Sequence, residues 1–147
     1  RAALEQRVRE LGLGTRVEIT GRVPRAEGLA RMERSQVFLF PSFEGAGMVV
    51  VEALAAGNPV VCLDRGGPQV MVGDERGLCA PAGADFDATA ENLACALRRL
   101  HRDETLRRTL AGNAARWAGE HATWSAKGAR IADFYAFAER EHARGAA

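Results

Sequence analysis

Two kinds of hydrophobic pattern alternate along the first half of the chain. Residues 37–40 and 60–63 are continuous apolar runs, as is typical of parallel strands buried on both faces. Residues 17–20 alternate apolar and polar side chains and predict a short strand, and residues 77–79 predict a last one. In the segments between these runs, the apolar residues have the spacing of helices. Strands alternating with helices predict an α/β fold with a parallel sheet flanked by helices.

The remaining apolar residues recur at the three- and four-residue spacing of amphipathic helices. From residue 86 onward this spacing continues almost to the end and predicts a helical tail. Its aromatic residues Trp117, Trp124, Phe134 and Tyr135 are interpreted as packing residues, some of which would contact a domain missing from these residues. The predicted helical segments are 1–12, 26–35, 47–56, a short turn at 69–72, 88–101, 104–121 and 125–142.

Composition and charge restrict the classes of protein. Hydrophobic residues make up 47% and charged residues 27% of the 147 positions, which excludes a disordered tail, and no transmembrane segment is expected. The net charge of +1 gives no global attraction for nucleic acid or an anionic membrane. The scattered Cys62, Cys79 and Cys95 indicate a reducing cytoplasm rather than a disulfide framework or a zinc site. The chain begins with Arg1 instead of Met, and we interpret it as a piece of a longer protein.

A glycine-rich stretch joins the predicted strand 37–40 to the following helix. In open α/β sheets, ligands bind at this place, outside the carboxyl ends of the strands. Gly45 and Gly47 allow close approach of the backbone, and the amides of Gly47, Met48 and Val49 would lie at a helix N-terminus, which favours a phosphate. The alternative is a tight connection without a ligand.

Glu52 is the single charged residue between Gly45 and Leu63, in an otherwise apolar helix. A carboxylate among aliphatic side chains is costly unless it is hydrogen-bonded or paired. It either occupies a solvent-facing strip or pairs with an arginine, or it accepts hydrogen bonds from ligand hydroxyls, for which a ribose diol is suited. Glu44 lies in the loop before this helix and can point into the same cleft.

Glu44 and Glu52 form a Glu-x7-Glu pair, flanked by the sequences FPS before it and EALAAG, PVV and GG after it. This pattern resembles the C-terminal nucleotide-sugar-binding domain of family-4 retaining glycosyltransferases of the GT-B fold. The resemblance implies a Rossmann-like sheet and a partial donor-binding domain over residues 1–147, with residues 86–147 as its helical tail. Residues 16–23, 77–83 and 124–135 resemble the flanking parts of that domain.

The resemblance also implies roles for individual residues. Glu52 would bind the ribose hydroxyls, and Glu44 would contact the sugar or stabilise positive charge at its anomeric carbon. The Gly47, Met48 and Val49 amides would hold the diphosphate in place of a metal. The backbone of Gly21, Arg22 and Val23 would meet the base. Ala46 stands where the family often has Phe or Tyr, which implies a more open sugar pocket.

The implied activity is transfer of a hexose-type sugar from a nucleotide-diphosphate donor, without a metal or other cofactor. The acceptor is a glycan, a lipid-linked molecule or a small molecule. GT-B enzymes need an N-terminal domain that is missing from these residues, so the chain is expected to be inactive alone. We expect a cytoplasmic location, with peripheral placement at the inner membrane as an option for the full-length protein.

Two alternatives from other classes remain open at this point. One is a sugar-nucleotide epimerase or a phosphorylase on the same two-domain architecture. The other is a non-catalytic α/β module that binds nucleotides.

Overall fold

A computed structural model of the chain describes residues 1–145, and its backbone divides into a compact unit of residues 1–31 and a second one that begins at Met32. The strands are β1 (Phe38–Phe40), β2 (Val60–Leu63) and β3 (Gly77–Ala80). The helices are α1 (Ala2–Glu10), α2 (Arg25–Glu33), α3 (Met48–Ala55), α4 (Gly66–Val72), α5 (Phe86–Arg102), α6 (Glu104–His121) and α7 (Trp124–Gly145).

The three strands form a parallel sheet in the order β1-β2-β3. Phe40 pairs with Cys62 on β2, and Cys62 pairs in turn with Cys79 on β3. All four residues of β2 are buried, as their continuous apolar run predicts. The α/β class, the parallel sheet and the helical tail are therefore confirmed.

Successive side chains of β2 enter two different hydrophobic cores, because side chains alternate between the faces of a strand. Val60 and Cys62 pack with buried residues of α3, α4 and α6. Val61 and Leu63 pack with buried leucines of α5 and α6. The sheet is thus covered by helices on both faces.

The turn between α3 and β2 contains a fully buried amide. Gly57 adopts a φ of 76°, and the next residue, Asn58, donates its backbone N–H to Ala53 O at 3.0 Å. The Asn58 side chain donates from Nδ2 to Met32 O at 2.7 Å. This contact attaches the end of α2 to the start of β2.

Residues 17–20 do not form a strand, so that prediction is wrong. Alternating polarity produces a strand only where a neighbouring strand supplies hydrogen bonds. Within residues 1–145, no strand pairs with this segment. Instead, Glu18 forms an ion pair with Arg31 of α2 at 2.9 Å. The Arg31 guanidinium lowers the pKa of the Glu18 carboxyl.

The aromatic residues of α7 do not pack within the described residues, so the expected contact of some of them with a missing domain stays a prediction. The exposed fractions of Trp124, Phe134 and Tyr135 are 90%, 72% and 67%. In contrast, Trp117 of α6 packs between the Arg76 guanidinium, 4.9 Å from its ring centroid, and the stacked ring of His121. A helical period identifies an apolar face, but a neighbouring surface is needed to bury it.

Candidate functional site

The connection from β1 to α3 passes through a glycine in the left-handed region of the backbone. Gly47 is the N-cap of α3, with φ 53° and ψ 57°. A Cβ at this buried position would lie 3.4 Å from Pro68 Cγ and 3.7 Å from Phe40 Cε1. Glycine is therefore favoured both by the backbone angle and by the space available.

The N-terminus of α3 has no side-chain cap. Val50 N donates to Gly47 O at 2.8 Å, but the N–H groups at the first positions of an α-helix, here Met48 and Val49, have no intrahelical acceptor. They lie at the end of the loop that follows β1. This arrangement of amides, together with the positive end of the helix dipole, is suited to an anion.

The loops that follow β1 and β2 touch through their backbones. Gly67 N donates to Glu44 O at 3.0 Å. A Cβ on Gly67 would lie 1.9 Å from Gly45 O, and one on Gly66 would lie 2.6 Å from Glu44 O. Two adjacent glycines are needed at this contact. Sequence reasoning used Gly66 and Gly67 only as part of a motif and missed that they position the loop of Glu44.

Glu52 lies on α3, one helical turn after Met48 and on the same face. Its side chain is half-buried, whereas Val50, Ala53 and Leu54 are buried in the core. The helix is not enclosed all round, because Met48 is 68% exposed. Glu52 thus occupies the border between the core-facing and exposed sides of α3.

The structure places Glu44, Gly45 and Gly47 in the β1–α3 loop and Met48, Val49 and Glu52 on α3, which follows it. Glu44 is exposed, and its backbone carbonyl makes the contact with Gly67. Gly21, Arg22 and Val23 belong to the unit of residues 1–31. In that unit Gly21 has a φ of 69°, Arg22 is exposed and Val23 is half-buried before α2.

Residues 1–145 contain neither a metal-binding cluster nor a membrane-spanning helix. No group of three or more His, Cys, Asp or Glu residues there is arranged to hold a metal ion. Among the helices of the same residues, none is long and apolar enough to cross a membrane.

A parallel sheet covered by helices on both faces gives the class of the chain, an α/β domain that matches the C-terminal domain of GT-B proteins. The chain belongs to the family described as glycosyl transferases group 1, whose model matches residues 1–117. Membership confirms the resemblance to glycosyltransferases and favours this class over the epimerase, phosphorylase and non-catalytic alternatives.

Two curated relatives illustrate the similarity. The chain is 36% identical over 112 residues to a D-inositol 3-phosphate glycosyltransferase of Streptomyces bingchenggensis, which covers 75% of this chain and 23% of the relative. It is 29% identical over 138 residues to a GDP-mannose-dependent alpha-(1-6)-phosphatidylinositol monomannoside mannosyltransferase of Mycolicibacterium smegmatis, covering 88% and 35% of the two chains. The chain therefore spans between about a quarter and a third of the length of these relatives.

Solved structures agree with this comparison. Sucrose-phosphate synthase from Thermosynechococcus elongatus matches with a TM-score of 0.73 and 29% identity, over 94% of this chain and 34% of that one. Anabaena HepE in complex with UDP and glucose matches with a TM-score of 0.74 and 25% identity, over 92% and 36% of the chains. Both cover nearly all of this chain and about a third of their own.

Proposed function

We propose that these residues form the donor-binding part of a retaining glycosyltransferase that transfers a hexose from a nucleoside diphosphate. The observation that carries the proposal is the uncapped start of α3 at Gly47, with Glu52 one turn further along the same helix. The complex of the similar HepE with UDP and glucose supports a nucleotide sugar as the ligand.

The diphosphate binds at the first turn of α3. The Gly47, Met48 and Val49 amides donate to its oxygens, and the helix dipole adds positive potential. Because these groups stabilise the charge of the departing nucleoside diphosphate, the transfer proceeds without a metal ion. The Gly66–Gly67 contact holds the preceding loop in position for this role.

Glu52 accepts hydrogen bonds from the ribose hydroxyls of the donor. A half-buried carboxylate at the edge of an apolar helix face is suited to a neutral diol, because hydrogen bonds to a charged acceptor are stronger than those to a neutral one. The backbone of Gly21, Arg22 and Val23 contacts the base.

Glu44 faces the sugar. In the reaction, the bond between the anomeric carbon and the diphosphate oxygen breaks, and positive charge develops on the sugar ring. The Glu44 carboxylate stabilises this charge. The oxygen of the acceptor hydroxyl then bonds to the anomeric carbon on the face that the diphosphate left, its proton passes to the released diphosphate, and the configuration is retained. The acceptor is a glycan, a lipid-linked molecule or a small molecule, held by an N-terminal domain outside these residues.

We place the reaction in the cytoplasm, where free thiols such as those of Cys62, Cys79 and Cys95 persist. Peripheral placement at the inner membrane fits a lipid-linked acceptor.

The role of Glu52 is tested by calorimetry of UDP and GDP binding to the transferase that carries these residues. The change Glu52→Gln is expected to lower the affinity for the tighter-binding of the two nucleotides roughly 10-fold or more. The reason is that a hydrogen bond to a charged group contributes about 1.5–3 kcal/mol. The same titrations with 2′-deoxy and 3′-deoxy nucleotides complete a double-mutant cycle.

If Glu52 binds the ribose, removing a ribose hydroxyl from the nucleotide lowers the affinity of the wild type. The same removal lowers the affinity of the Glu52→Gln variant only a little. Equal losses in both proteins would contradict the ribose role. The matched control is Glu139→Gln, which makes the same chemical change at an exposed position of α7 and is expected to leave the affinity unchanged.

A further inference from the structure

Two cysteines form a directly opposed pair on neighbouring strands, away from the β1–α3 connection. Cys62 of β2 and Cys79 of β3 are register partners, and their Sγ atoms are 3.8 Å apart. Paired strands lie about 4.8 Å apart, within the Cα separations of about 4.4–6.8 Å that disulfides span. The two sulfur atoms are therefore positioned to meet after small side-chain rotations.

The two thiols differ in exposure and acidity. Cys62 is completely buried, whereas Cys79 is half-buried at the border of the same core. Hydrogen bonding with Cys79, together with burial, raises the pKa of Cys62. The hydrogen bond between the two thiols lowers the pKa of Cys79. Cys79 is thus the more accessible thiol and the one whose thiolate is stabilised, as a reactive cysteine requires.

We infer that Cys62 and Cys79 are a modification site, a dithiol that a peroxide converts into a disulfide between β2 and β3. The Cys79 thiolate attacks one peroxide oxygen, the O–O bond breaks, and Cys79 becomes a sulfenic acid while water or an alcohol leaves. The Cys62 sulfur then attacks the Cys79 sulfur, the S–O bond breaks, and a second water leaves with the Cys62 proton. The two cysteines are oxidised by two electrons in total, and the peroxide is reduced by the same two.

The cross-link closes a segment that includes the loop opposite Glu44. Between Cys62 and Cys79 lie Asp64 and α4, which begins with Gly66 and Gly67. Asp64 already joins the two strands, since its N–H donates to Ala80 O at 2.9 Å. A disulfide next to this contact constrains the unfolded chain and is expected to raise the melting temperature. The inference does not depend on the proposed function.

The third cysteine provides a matched control because Cys95 is exposed on α5. Trypsin releases Cys62 in the peptide of residues 35–65, but it leaves Cys79 and Cys95 together in the peptide of residues 77–98. The experiment therefore uses the folded Cys95→Ser protein at low concentration, treated with hydrogen peroxide. After alkylation and digestion, mass spectrometry and thiol titration report the products.

The expected product is a peptide pair joined by one disulfide within a monomer, with loss of both thiols in parallel. Dithiothreitol restores both thiols and the original melting temperature. In the Cys62→Ala variant, Cys79 lacks its partner and is expected to continue to the sulfinic acid, which dithiothreitol does not reduce.

Three results would overturn the inference. The first uses the peroxide dose that oxidises Cys95 in the Cys62→Ala/Cys79→Ala protein: at this dose, the Cys95→Ser protein keeps both of its thiols. Another is oxidation of Cys79 to the sulfinic acid while Cys62 stays reduced. The third is a disulfide found only in covalent dimers. Because the Cys95→Ser protein keeps the native pair, its result decides the question even if a core variant does not fold.

Discussion

Gly67 lies so close to the loop after β1 that no other residue fits without movement of the backbone. Its N–H donates to Glu44 O, and a Cβ would lie 1.9 Å from Gly45 O. The obstacle is a carbonyl group rather than the end of a flexible side chain. A substitution must therefore separate two loops that follow neighbouring strands.

Gly67→Ala is expected to destabilise the protein by about 1–3 kcal/mol, the usual cost of forcing extra volume into a packed site. The free energy of unfolding in urea measures this effect. Glu44 shifts with the loop, so we also expect weaker donor binding.

The control for this substitution is Gly112→Ala on α6. A Cβ at Gly112 meets nothing within 4 Å, so the helix propensity of alanine alone should stabilise the protein by about 1 kcal/mol. Equal unfolding free energies for Gly67→Ala and the wild type would show that the two loops separate easily.

At the scale of elements, the boundary between α5 and α6 depends on one carboxylate. Asp103 is the C-cap of α5, where its backbone N–H donates to Arg99 O. It is also the N-cap of α6, where its Oδ1 accepts a hydrogen bond from Leu106 N at 2.8 Å. Both helices supply leucines to the core on one face of the sheet. The cap therefore fixes where the chain turns between two core-forming helices.

Asp103→Ala is expected to cost about 1 kcal/mol of stability, measured by thermal or urea unfolding, because the Leu106 N–H loses its acceptor. Asp103→Asn keeps an acceptor oxygen and should change the stability by much less. Asp133→Ala in the exposed middle of α7 removes a carboxylate without removing a cap. A similar loss of stability for Asp133→Ala would contradict the capping explanation.

The elements also show what sequence could and could not predict. The runs at 37–40 and 60–63 are predictable as strands, because every side chain of a strand that is buried on both faces is apolar. The absence of a strand at 17–20 is not predictable from that segment, because strand formation depends on a partner elsewhere in the chain. The Gly67 contact could not be predicted either, since it depends on the register of β1 against β2. The glycine-rich start of α3 was predictable because its signal is local.

At the scale of the whole molecule, α7 is the part least explained by the contacts within the chain. Trp124, Phe134 and Tyr135 are largely exposed, which is unusual for a group of aromatic residues on one helix. The chain also matches only 23% and 35% of the length of two curated relatives. Both observations support an N-terminal domain as the missing part of the proposed enzyme.

We therefore expect the 147 residues alone to bind a nucleoside diphosphate weakly and to transfer no sugar. The α3 amides and Glu52 belong to this chain, whereas the proposed acceptor-binding domain does not. Transfer requires both substrates to be held in reacting geometry. Release of UDP or GDP from their hexose conjugates, followed with a panel of acceptors, measures turnover, and calorimetry measures binding separately. A cooperative thermal transition confirms that the chain used is folded. Sugar transfer above the rate of the Glu44→Gln/Glu52→Gln variant would show that this portion of the enzyme is catalytically complete.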